Sequence, residues 1–158
     1  MSSLEGTDDD RFPTCPPIQD LHEHQLADTN RRDRAVVLGV GMAGKGHWSA
    51  SISWEHSSQA MLRNDYACLM KDDTNGWLGS TFQVDSNWDI AALDAEQLQM
   101  QHPDLEDLVV LLKCDPICLV SIDRADDELA RVRVEPKECS TVKHTATRWI
   151  FDIWLGSR

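Results

Sequence analysis

Basic residues are scarce in this sequence, and the scarcity narrows its function at once. Lys and Arg number 15 against 27 Asp and Glu, a formal net charge of −12. Affinity for a phosphate backbone rests on cations that displace condensed counterions, so nucleic acid is excluded as a partner, and anionic membrane surfaces are disfavoured for the same reason. No apolar run approaches the roughly 18 residues of a membrane-crossing helix. The opening MSSLEGTDDDRF has neither the basic leader nor the apolar stretch of a secretory or transit peptide. Cysteine occurs as Cys15, Cys68, Cys114, Cys118 and Cys139, an odd set without a repeating framework, and Cys114 and Cys118 stand too far apart for a C-x-x-C motif. Such usage fits a reducing compartment, so a cytoplasmic protein is expected. H-E-x-x-H and a nucleophile elbow are also missing, which removes two common signatures of hydrolytic enzymes.

What is present reads as one folded unit behind a tail. Residues 1–33 mix Asp, Pro, Thr, Asn and Arg with little apolar content, and such a segment cannot bury enough surface to offset its ordering entropy. They are expected to form a flexible acidic tail, with at most a transient helix or docking segment around Ile18 to Leu26. Residues 34–158 are long enough to enclose a core of their own and are expected to form a single α+β domain. Trp48, Ala50, Ile52 and Trp54 alternate with Ser49, Ser51 and Ser53, the period-two signature of a strand with one buried face. DYACLMK and WLGSTFQV extend this to a four-strand antiparallel meander, with Asn75-Gly76 as a hairpin turn. Leu105, Leu108, Val109 and Leu112 fall at i, i+3, i+4 and i+7 behind Pro103, with Asp104, Glu106 and Asp107 favouring a helix start. That spacing predicts a central helix ended by Asp115-Pro116, with a looser helix over Ala92 to Gln101. ICLVSI, LARVRVE and a long final strand carrying Trp149, Phe151, Ile153 and Leu155 then form a three-strand meander.

The segment AVVLGVGMAGKGHWSASISWEH holds two phosphate-binding patterns at once. Gly39 to Gly44 spells G-x-G-x-x-G, and Gly39 to Lys45 spells G-x-x-x-x-G-K. Both motifs need a helix N-terminus whose amides face the phosphates. Here the glycines lead into the Trp48 strand, and Gly46 stands where a Walker loop needs Ser or Thr. A hairpin is the expected structure, and no nucleotide cofactor is assigned.

The remaining chemistry is dispersed. His22-Glu23-His24 with Cys15 offers metal-ligand types without the paired spacing of a zinc site, so no metal is expected. His47, Glu55, His56 and His144 are the available acid–base groups, and Trp77 and Trp88, each following a polar turn, are the tryptophans best placed to line a ligand site. Between Asp85 and Glu128 twelve acidic residues face only Lys113 and Arg124, a surface suited to a basic protein partner. The sequence therefore predicts a non-enzymatic interaction or adaptor module. The alternative is a small-molecule-binding protein or small enzyme with a Trp-lined pocket, and a concave, Trp-lined cavity with converging polar groups would favour it.

Overall fold

The computed structural model describes residues 2–3, 20–25, 34–43, 46–56, 60–70, 78–105, 107–126, 129–138 and 144–157. These residues form β-strands and turns without a helix, so the predicted α+β class with a central helix is corrected to all-β. In chain order the strands are β1 Ser2–Ser3, β2 Asp20–Gln25, β3 Arg34–Ala43, β4 Gly46–His56, β5 Ala60–Met70, β6 Ser80–Asp85, β7 Asp89–Ala92, β8 Gln97–Gln101, β9 Leu108–Cys114, β10 Cys118–Asp126, β11 Leu129–Pro136 and β12 Ala146–Ser157. They build an eight-stranded sheet of order β2-β3-β4-β5-β12-β9-β8-β7 and a four-stranded sheet of order β1-β6-β11-β10, with every pairing antiparallel.

The expected helix is β9. Its run LVVLL satisfies helical spacing only because nearly every residue is apolar, and a continuous apolar run equally marks a strand covered on both faces. Val110 and Leu112 are buried against the small sheet, Leu111 is half-buried beside Trp154 on the other face, and Leu105, the supposed first contact, is 48% exposed in the preceding turn. The looser helix over 92–101 is corrected likewise. In β8, QLQMQ alternates, with Leu98 and Met100 buried and the glutamines half-buried; the helix-forming propensity of these residues yields to packing.

The two predicted meanders are also rearranged. β2 to β5 form a sequential meander, but β6 leaves it for the small sheet and pairs β11. β10 and β11 form the expected hairpin, whereas β12 returns to the large sheet and inserts between β5 and β9. The Asn75-Gly76 turn lies outside the described residues, as does most of 1–33. Within that N-terminal segment, Asp20–Gln25 pairs with β3 as an outer strand. The glycine-rich segment is a strand too: Gly39 pairs with Ala50 and Gly41 with Trp48 in the β3–β4 ladder, so neither glycine heads a helix.

The core lies between the sheets. Ala50, Tyr66 and Trp149 share one register across the large sheet, Phe151 follows on the same face, and Val84, Val132 and Val134 meet them from the small sheet. Tyr66 stacks on Trp149 at 5.6 Å, and Phe82 meets Phe151 edge-on at 5.7 Å. The buried Trp149 indole N–H donates to Ser80 Oγ at 2.9 Å, a bond from one sheet to the other that satisfies a donor with no access to water. No helix long and apolar enough to cross a membrane occurs among the described residues.

Candidate functional site

The chain passes from the small sheet to the large one through the turn Ser86–Trp88, where the Trp88 amide donates to the Asp85 carbonyl at 3.1 Å. Because β7 and β8 are antiparallel, with Asp89 opposite Gln101, this turn lies beside the connection that follows β8. That second connection, His102 to Leu105, closes on itself through Leu105 N–H to the His102 carbonyl at 3.0 Å, with Pro103 in the turn position its fixed φ suits. Arg124 reaches in from β10, and its guanidinium donates to the Ile90 carbonyl at 3.1 Å. The three segments border an open cleft of about 410 Å³.

His102 organises one wall. Its ring meets Trp88 edge-on at 5.2 Å. Its Nδ1 lies 3.2 Å from the Asp104 amide, which donates to it, and 3.9 Å from the Asp104 carboxylate. The Asn87 side-chain nitrogen lies 2.7 Å from Nε2 and ties the two turns together. Asp89, Gln101 and Arg124 add a carboxylate, a second amide and a guanidinium to the lining.

Of the residues expected to form a site, Trp88 lies in this cleft. Trp77 lies outside the described residues. His47 is exposed near the start of β4 opposite Leu69, and Glu55, half-buried on the same face, sits eight residues further on, about 26 Å away by strand rise. His56 ends β4 opposite Ala60. His144 is exposed in a left-handed conformation (φ 61°), with its amide donating to the Met70 carbonyl at 2.8 Å, so it stands at the His47 end of the sheet. The four acid–base groups thus divide between opposite ends of β4, and the cleft lies beside β7, five strands away. His102, Asn87, Gln101 and Arg124 were missed. His102-Pro103 reads in sequence as a helix start, and nothing local in Arg124 signals its proximity to Ile90.

Perturbed groups lie elsewhere. Burial pushes the Cys114 thiol up to about 12, with Cys118 and Glu96 adding in the same direction, and burial also raises Cys118. Burial raises the Asp152 carboxyl more than the Arg63 guanidinium, 3.2 Å away, lowers it. Such thiols stay protonated near neutral pH and are poor nucleophiles. No group of three or more His, Cys, Asp or Glu side chains able to hold a metal occurs among the described residues.

No family model and no curated protein matches this sequence. Solved structures do. The fold is similar to part of a heparan sulfate lyase from Pedobacter heparinus, at a TM-score of 0.58 and 10% identity over 87% of this chain and 22% of the lyase, and a mutant of that lyase matches equally. A heparinase III gives a TM-score of 0.53 and 9% identity over 90% of this chain and 23% of its own. The likeness is one of fold. This chain spans less than a quarter of the length of those proteins.

Proposed function

We propose that the chain is a non-enzymatic binding module whose small-molecule ligand sits in the Trp88 cleft, the acidic surface offering a separate contact to a basic protein partner. The observation that carries the cleft reading is the convergence of Trp88, His102, Asn87, Asp89, Gln101 and Arg124 on one opening, a mainly polar lining around one tryptophan. Against catalysis stands the separation of His47 and His144 from Glu55 and His56, since a nucleophile, base and orienting group must meet in space. Heparan sulfate, named in the solved neighbours, suits this chain poorly because a net charge of −12 repels a sulfated polymer. Cys114 and Cys118 carry no disulfide, which supports a reducing, cytoplasmic setting.

A screen of small neutral, anionic and cationic fragments against the full chain by ¹⁵N NMR tests this reading. Shifts clustering at the Trp88 indole and the Asn87 and Gln101 side-chain amides, and lost in Trp88→Ala, would support it. If no fragment class moves those resonances while a basic protein is bound with or without Trp88, the adaptor reading replaces it.

A further inference from the structure

We propose that the corner of the core around Gly46 is a copper(I) site. β4 and β5 pair so that Trp48 stands opposite Cys68 and Gly46 opposite Met70, which sets these four residues in a square on the inner face of the large sheet. Gly46 brings no side chain, and the other three turn toward the space it leaves. Cys68 Sγ, Met70 Sδ and Trp48 Nε1 are the heavy atoms nearest the point where a Cβ would stand, at 2.7, 3.4 and 3.4 Å. The two sulfurs lie 3.5 Å apart. Cys68, Met70 and Trp48 are 0%, 5% and 9% exposed.

The donors select the class of ion. A thiolate and a thioether are soft ligands and favour copper(I) over calcium, magnesium or manganese, which take oxygen. Charge then separates copper(I) from zinc. Binding forms the sulfur–metal bond and releases the Cys68 thiol proton to solvent, so a monovalent ion on one thiolate leaves a neutral pair in the core. A divalent ion would keep a net positive charge out of reach of water. Zinc would also need a fuller shell, and no group of three or more His, Cys, Asp or Glu able to hold a metal occurs among the described residues. Closing on one ion asks the sulfurs to part slightly, and the unbranched Met70 side chain has the rotors to allow it.

Trp48 points to the same ion. Its indole Nε1 is buried without a hydrogen-bond partner, a costly state for a donor in the core. Metal binding turns the neutral thiol opposite it in the ladder into a thiolate, and a negatively charged sulfur at that corner gives the N–H an acceptor. Hydrogen bonds of this kind to metal-bound sulfur hold the ligand in place and tune the metal.

The test uses the full chain, reduced and under argon. Copper(I) is titrated in competition with the chromogenic chelator bicinchoninate, and ¹⁵N NMR, which this diamagnetic ion permits, follows the Trp48 indole. The protein is expected to take the first equivalent from the chelator with a shift of that indole resonance. Met70→Leu, close to a volume-conserving change, should weaken uptake by about tenfold, and Cys68→Ala by about a hundredfold or more. Cys114→Ala and Cys118→Ala should take up the ion as the parent does, and zinc should leave the Trp48 indole in place. The proposal is overturned if the chelator keeps all the copper, if Cys68→Ala competes as well as the parent, or if uptake leaves the Trp48 indole unmoved. Zinc held at Cys68 as tightly as copper(I) would overturn the choice of ion. Circular dichroism checks the fold of each variant, and if Cys68→Ala does not fold, undiminished uptake by folded Met70→Leu overturns the site.

Discussion

One added carbon at Gly46 would be felt throughout its corner of the core. A Cβ there would stand 2.7 Å from Cys68 Sγ and 3.4 Å from both Met70 Sδ and Trp48 Nε1. Cys68 is fully buried and sits on a central strand, so it cannot swing aside. Gly46→Ala should therefore cost about 1–3 kcal/mol in urea unfolding, the usual cost of overpacking. Cys114 sets a second expectation. Its thiol is raised from 9.0 to about 12 in the folded protein, so the folded state holds a proton that the unfolded chain releases. Its contribution to stability is complete below pH 9 and is lost as pH rises toward 12, at a slope on the order of 1.4 kcal/mol per pH unit. The urea midpoint should fall across that window, and Cys114→Ala should make it less dependent on pH. At this scale the sequence was legible where a residue's role is set by its neighbours in the chain. Trp88 could be picked out because it follows a polar turn. His102 and Arg124 could not, because Asn87, Trp88 and Ile90 reach them from distant parts of the chain.

β12 is the element on which the fold turns. It pairs β5 on one side and β9 on the other, with Trp149 and Phe151 fully buried on the inner face and Ile150 buried on the outer. Truncating a buried aromatic of this kind costs about 3–5 kcal/mol, comparable to the lower end of a domain's whole stability. Phe151→Ala should leave the protein largely unfolded or aggregating at physiological temperature. Asp152→Asn should change stability by less than about 1 kcal/mol, because its ion pair with Arg63 is partly solvated. Chemical denaturation of the two variants side by side checks both; a Phe151→Ala protein as stable as the parent would make β12 peripheral. The period-two strands at Trp48–Trp54 and Trp149–Leu155 were readable because each has one strongly apolar face. β9 was not, because a strand covered on both faces loses the alternation that distinguishes it from a helix.

For the molecule as a whole, the side-chain pattern tells which face of a strand is buried but not which strand lies beside it. That is why the departure of β6 to the small sheet and the return of β12 to the large one could not be read in advance. The all-β architecture predicts a far-UV circular dichroism spectrum without the double minimum of helix. It also predicts slow folding, since contacts such as Met61 with Trp154 close most of the chain into a loop before the ladder can form. Stopped-flow refolding should fall in the range of about milliseconds to seconds typical of sandwiches rich in non-local pairs; microsecond folding would contradict that expectation.

The insertion of β12 has a further meaning during synthesis. Until β12 inserts, β5 and β9 stand as two unpaired edges in the middle of the large sheet, each exposing a row of backbone donors and acceptors. For that interval the nascent chain is a template for strand addition, by its own later segments or by another copy. The speed with which β12 docks between β5 and β9 therefore governs how long the chain is open to misassembly.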